Sequence, residues 1–308
     1  MGLGRLRNTK VWSILPASSR NLSDFVYPYT HNQHTTKHVT SFRVDAAEAF
    51  TKAANSYKLE SQYTQAGNAC MRAAEAYEKA DSGANDTINA TVEAGNCFKM
   101  GNDHGEAVKC FQKAIEAYEE SQRFGQCAKY QKEVAEIYEA CQDFDSALQC
   151  FQKAAHYYTV DNKKSQANQI TLKLATMLTT HSDKYIEAAD IFEKTGTESL
   201  ESRLGQYSAK GHFFQCLLCH LAAGDNVQVR NKIESFKNKD HSFANCRECK
   251  FIEKIVESLE NFDADMFAQA CQEFDQITPL DPWKVSLLSK AKTQIGDTAA
   301  GEEEVDLT

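Results

Sequence analysis

Along most of the chain, apolar side chains recur at three- and four-residue spacing. Ala107, Cys110, Phe111, Ala114, Ile115 and Tyr118 are one such run, and the spacing puts all six on one face of a helix. Strict alternation, the mark of a half-buried strand, does not occur. The run also repeats itself. Ala107-Val-Lys-Cys-Phe-Gln-Lys-Ala114 aligns forty residues later with Ala147-Leu-Gln-Cys-Phe-Gln-Lys-Ala154, and Tyr118 with Tyr158. Ala188-Ala-Asp-Ile-Phe192 carries the Ala and Phe positions one residue out of step, and residues 46–57 hold an earlier copy. Helical segments of a different kind, such as 128–138 and 167–178, lie between the copies, so each unit is a pair of helices. One amphipathic pair cannot bury its apolar face alone and must stack on neighbours. A period near forty with paired helices therefore predicts an all-α, tetratricopeptide-like solenoid of helical hairpins.

The pattern predicts helices over 44–58, 62–80, 86–100, 103–120, 123–140, 144–159, 164–180, 184–195, 206–223 and 225–237, followed by 246–260, 262–275 and 283–294. The proline distribution agrees: only Pro16, Pro28, Pro279 and Pro282 occur, and residues 29–278 contain none. Ala66-Gly67-Asn68 and Ala94-Gly95-Asn96 sit inside helical patterns. Glycine costs a helix interior ~1 kcal/mol there, which points to a tight crossing rather than a hinge. After Gly205 the strict period is lost, as in a helical bundle. The expected organisation is an N-terminal segment over 1–41, a repeat sheet over 42–205, a C-terminal bundle over 206–295 and an acidic tail over 296–308.

Composition narrows the function. The 308 residues are 42% hydrophobic and 25% charged, as in an ordinary water-soluble protein. No run approaches the ~20 apolar residues a spanning helix needs. The 11 cysteines are scattered through a chain without a secretory signal, which reads as reduced thiols in the cytosol. Net charge is −9, and the basic residues form no dense run, which argues against nucleic acid. The ends differ in sign. Residues 1–43 hold six Lys or Arg against Asp24 alone, whereas five acids and no base lie between Asp297 and Asp306. An acidic end of this kind suits a basic partner.

Catalytic motifs are missing: there is no glycine-rich phosphate loop, no G-x-S-x-G elbow and no H-E-x-x-H. Cys216, Cys219 and His220 match the haem-attachment spacing, but within an apolar helical run. Cys246 and Cys249 could join Cys216 and Cys219 around zinc, yet the 26-residue gap is long and both pairs read as helical. Core packing is the simpler reading, and no metal or cofactor is expected.

Several strings, in order, resemble the soluble NSF attachment protein (SNAP) family, nearest its alpha and beta branch. They are Ala135-Glu-Ile-Tyr138, Tyr207-Ser-Ala-Lys-Gly-His-Phe-Phe214 with Cys219-His220, Cys246-Arg-Glu-Cys-Lys250, the Asp281-Pro-Trp283 region and the ending Glu304-Val-Asp-Leu-Thr308. The resemblance runs from about residue 42 to the end. It implies a non-enzymatic adaptor, cytoplasmic and peripheral on vesicle, Golgi and plasma membranes. Such an adaptor grips assembled SNARE four-helix bundles and recruits the hexameric ATPase NSF to dismantle them. The matching SNARE-binding positions are Lys99, Arg123, Lys129, Lys173 and Lys210, while Gln169 and Ser61 stand where the family usually has lysine. The matching NSF-binding positions are Asp225, Glu257, Glu260 and the penultimate Leu307, with Asn261 in place of a usual acid. The family's further N-terminal helix and its membrane-touching loop are not found in residues 1–41. That segment instead carries Arg5, Arg7, Lys10 and Arg20, in the manner either of a transit peptide or of a divergent or wrongly assigned, disordered start. Only weak membrane contact is then expected. The alternative is a generic tetratricopeptide-like scaffold for another partner.

Overall fold

The computed structural model describes residues 33–81, 83–201 and 205–301. These residues form thirteen helices and no strand: α1 (Gln33–Leu59), α2 (Tyr63–Ala80), α3 (Ala84–Met100), α4 (His104–Glu120), α5 (Phe124–Ala140), α6 (Phe144–Val160), α7 (Lys164–His181), α8 (Tyr185–Ser199), α9 (Gln206–Ala222), α10 (Asn226–Lys239), α11 (Arg247–Glu260), α12 (Ala264–Asp275) and α13 (Pro282–Gly301). The fold is the tetratricopeptide-like helical array that the period predicts. In α4 the whole stripe from Ala107 to Tyr118 is buried, and in α6 its counterparts Ala147, Phe151, Ala154 and Tyr158 are buried too.

Most boundaries fall within two residues of those expected. The largest difference is α1, which begins well before residue 44. Only a narrow strip of this edge helix is covered by α2, with Ala47 and Ala54 buried and Phe42 largely exposed. Ser41, Phe42 and Arg43 are all exposed, so no apolar stripe leads into residue 44 and periodicity cannot find the longer start. At the other end α8 and α13 run past their expected ends at 195 and 294.

Successive helices from α1 to α9 pack on one another, joined by turns built alike. After α3, α4, α5 and α6 the third residue of the turn returns its N–H to a carbonyl five residues back: Asp103 to Phe98, Arg123 to Tyr118, Asp143 to Tyr138 and Lys163 to Tyr158, all at 2.8–3.0 Å. This is a Schellman ending, and its left-handed position is filled by Asn102, Gln122, Gln142 and Asn162 at φ between 57° and 62°. A seventeen-residue helix and a three-residue turn thus make one step, and two steps make the sequence repeat. Alternate helices face one another: Lys58 of α1 pairs with Glu93 of α3, and Lys113 of α4 with Glu78 of α2 at 3.7 Å. The odd helices make one layer and the even helices the other.

Crossings between the layers are close where glycine allows. A Cβ at Gly67 would lie 2.7 Å from the ring of Phe98, one at Gly95 2.8 Å from Phe111, and one at Gly196 2.8 Å from Phe213. The expectation of tight crossings at Gly67 and Gly95 is met by a phenylalanine seated in each notch.

From α9 the packing changes. This helix is buried from Phe213 to Ala222 except at Gln215, and it touches α8, α10, α11 and α13. Trp283 of α13 donates its indole N–H to the Thr179 hydroxyl at 2.8 Å and leans on Phe192, tying the last helix to α7 and α8.

Candidate functional site

Four of the five basic positions singled out in the sequence stand in the odd layer: Lys99 on α3, Arg123 and Lys129 at and near the start of α5, and Lys173 on α7. Three of the four are held by polar neighbours. Lys99 pairs with Glu133 and, at 3.9 Å, with Glu136. Lys173 pairs with Glu139 at 2.6 Å and lies 4.6 Å from the centre of the Phe151 ring. Arg123 donates to Asn85 at 3.1 Å, with its guanidinium 5.1 Å from the Tyr118 ring. Lys129 is exposed, its ammonium 5.2 Å from the Tyr130 ring centre. The result is a ladder across α3, α5 and α7 in which Glu133, Glu136 and Glu139 of α5 hold bases reaching in from both sides. Partly exposed pairs of this sort are worth only ~0.2–1 kcal/mol, so a more acidic partner can take the lysines over at little cost.

Lys210 stands apart on α9, beside the Cys246 thiol. Burial pushes that thiol up to about 11, and the ammonium opposes the push. Of the two positions where lysine was expected, Ser61 occupies the left-handed turn after α1 and Gln169 is exposed on α7.

The acidic positions lie at the start of α10 and the end of α11, away from the segment that joins the two helices. Asp225 caps α10, accepting the Gln228 N–H at 3.0 Å. Five residues on, about 7.5 Å along the helix axis, Arg230 grips Glu260 with two N–H groups, one at 2.6 Å. That bond holds the guanidinium still more firmly protonated. Glu257, one turn before Glu260, shares with Arg230, Ile233 and Val256 a groove of about 400 Å³. Val227 and Phe262 are largely exposed nearby in the chain, at the start of α10 and just after α11, and Asn261 forms the C-cap of α11. Leu307 lies outside the described residues, as do Arg5, Arg7, Lys10 and Arg20 of the N-terminal segment.

Sequence reasoning missed Glu133, Glu136, Glu139 and Arg230. A signal exists in hindsight: with a twenty-residue step, side chains 34 to 39 residues apart meet across alternate helices, as Lys99 meets Glu133 and Lys232 meets Glu193. A groove of about 940 Å³ between α4 and α6 is floored by Gln131 and Tyr138 and takes in none of the sequence-derived positions.

The cysteine motifs resolve as packing. Cys216 and Cys219 are fully buried on α9, and burial pushes the Cys219 thiol up to about 12. Cys246 caps α11, its sulfur accepting the Cys249 N–H at 3.3 Å. Among the described residues no three His, Cys, Asp or Glu side chains are grouped to hold a metal, and no helix is long and apolar enough to cross a membrane.

An array of helical hairpins of this kind belongs among the tetratricopeptide-like repeat proteins. Within that class the family is definite: the family model described as soluble NSF attachment protein, SNAP, matches residues 39–296, and the chain belongs to that family. It is 34% identical over 264 residues to the alpha-soluble NSF attachment protein of Vitis vinifera, covering 86% of this chain and 90% of that one. It is also 34% identical to the beta-soluble NSF attachment protein of Bos taurus, over 84% of this chain and 86% of the relative. The vesicular-fusion protein SEC17 of Komagataella phaffii is 34% identical over 82% and 86%. Among solved structures, the TPR-like repeats of a Podosopora anserina putative kinesin light chain cover 68% of this chain at 13% identity and a TM-score of 0.41.

Proposed function

We propose that this chain is a non-enzymatic adaptor that grips assembled SNARE bundles and recruits the ATPase NSF to take them apart. One observation carries the reading. Lys99, Arg123, Lys129 and Lys173 fall on consecutive helices of a single layer, α3, α5 and α7. Packed helices lie about 8–10 Å apart, so these bases line a stripe roughly 20 Å long, suited to an elongated acidic rod and not to a small ligand. The stripe belongs to the gripping part of the chain, residues 42–205. Residues 206–295 form the end that seats the motor, through Asp225, Glu257, Glu260 and, on the acidic tail over 296–308, Leu307. Apolar side chains beside acids fit a basic docking surface. No bond is made or broken by the adaptor, which works in the cytoplasm as a peripheral membrane protein.

The test is co-sedimentation of purified protein with reconstituted SNARE bundles. Lys129→Glu places a like charge against the bundle and weakens binding about tenfold at low salt, roughly 1.4 kcal/mol, and the wild-type affinity falls as salt rises. Leu307→Ala leaves SNARE binding intact and lowers stimulation of NSF ATPase. Binding that is indifferent to both salt and Lys129→Glu would overturn the gripping face. Normal ATPase stimulation by Leu307→Ala would overturn the role of the tail.

A further inference from the structure

The three acids at the α10 and α11 end are not equally free. Asp225 spends one carboxylate oxygen on capping α10, where it accepts the Gln228 N–H at 3.0 Å. Glu257 is exposed on the groove that Ile233 and Val256 also line. Glu260 has both oxygens taken: Arg230 donates Nε–H to Oε1 at 2.6 Å and Nη2–H to Oε2. This clasp stands on the surface, with the Arg230 side chain 58% exposed and that of Glu260 41%, so a partner reaches it directly. Apolar side chains flank it along the chain. Val227, one turn before Arg230 and therefore on the same face of α10, is 73% exposed, and Phe262, two residues after Glu260, is 59% exposed. Large apolar side chains left in water around a charged group are what a protein contact surface offers.

A carboxylate held by two N–H groups of one guanidinium is a directional pair, stronger than a single neutral hydrogen bond. A basic partner that approaches Glu260 meets a base already in place, which fills the carboxylate and repels the newcomer. We infer that Arg230 is a specificity-determining residue for the seating of NSF proposed above, on which this step rests: its guanidinium competes within the chain for Glu260, so the motor engages Glu257 first and gains Glu260 only by displacing Arg230. The replacement that loses least is another guanidinium, because its planar fork meets both oxygens, whereas an ammonium meets them as a point charge. The clasp is not needed to hold α10 on α11. Lys237 of α10 pairs with Glu253 of α11 at 2.8 Å, and Ile233 and Val256 are buried along the groove between the two helices. Removing the guanidinium therefore frees Glu260 and leaves the helices packed.

The experiment immobilises the full-length chain through its N-terminus and titrates it with NSF hexamer in a nonhydrolysable ATP analogue, at low and at moderate salt. Arg230→Gln is expected to tighten binding about fivefold at low salt, the most that an exposed ion pair withholds, and the gain shrinks as salt rises. Arg230→Lys keeps the charge and loses the fork, so its affinity falls between those of wild type and Arg230→Gln. Adding Glu260→Gln to Arg230→Gln cancels the gain. Circular dichroism spectra equal to that of the wild type separate these effects from misfolding. Wild-type binding that Arg230→Gln leaves unchanged or weakens would overturn the competition while leaving the docking end standing, as would an Arg230→Lys chain indistinguishable from wild type or a gain that survives Glu260→Gln. A wild-type chain that does not bind NSF at all would bring down the docking end and the competition together.

Discussion

The stretch from α2 to α8 and the stretch from α9 to α13 solve the burial problem in opposite ways. In the first, helices meet their neighbours over buried small residues, with a large side chain set into a glycine notch where Phe98 sits on Gly67 and Phe111 on Gly95. The apolar contacts are divided among many similar crossings, none of them dominant. In the second, one helix carries most of the burden. Phe213 of α9 stacks on Phe236 with ring centres 4.2 Å apart, and Phe243 stands edge-on to both at 5.8 and 6.1 Å. On the neighbouring side Phe214 contacts Phe251 and Phe274, themselves stacked at 4.4 Å. A repeating stack can be weakened at one crossing and keep the rest. A bundle organised on a single buried helix cannot.

The sharpest way to break that contrast is Phe213→Ala. It empties a fully buried site shared by α8, α9 and α10, with an expected loss of ~3–5 kcal/mol in urea denaturation. A loss near 1 kcal/mol would show that α9 is no more central than any helix of the array. Next comes Gly95→Ala in the array. The added methyl meets the Phe111 ring at 2.8 Å; overpacking costs ~1–3 kcal/mol and better helix propensity returns up to ~1 kcal/mol. A net loss of about 1–2 kcal/mol is expected, with hydrogen-exchange protection falling around α3 and α4 but not in α9. A stabilised variant would mean that the crossings have room to spare.

The smallest effect separates the two regions by pH. His220 on α9 is buried, and neither ring nitrogen has a hydrogen-bond partner among the described residues. Burial, with Lys232 nearby, holds its folded-state pKa below the ordinary 6.5. The unfolded chain therefore takes up the proton first as pH falls. Stability from the neutral imidazole is complete above pH 6.5 and is lost as pH drops through 6.5 toward the folded value. Melting temperature measured between pH 7.5 and 5.5 should fall less steeply in His220→Leu than in the wild type. Equal slopes would exclude this histidine as the source.

The array was legible in the sequence because its packing is written locally. A buried stripe such as Ala107 to Tyr118 follows from helix geometry alone, and its copy at Ala147 to Tyr158 confirms the register. The beginning of α1 was not legible, because an edge helix with Phe42 in solvent has no stripe to read. The basic positions came from family likeness, and periodicity could not have supplied them. Their acidic partners escaped notice for a different reason: Lys99 and Glu133 are 34 residues apart and meet only once α3 and α5 lie side by side. Arg230 escaped because nothing in α10 by itself predicts that its neighbour on α11 is Glu260.

The turns after α3, α4, α5 and α6 place Asn102, Gln122, Gln142 and Asn162, rather than glycine, in the left-handed region. A side chain there costs ~1–2 kcal/mol relative to the right-handed form, yet it leaves the backbone fewer other conformations to visit than glycine would. Each junction is therefore stiff in torsion, and a twist applied at one end of the chain is spread as small elastic deformations over every step instead of being absorbed at a single swivel. A body built this way passes a torque applied at one end along every step of the array.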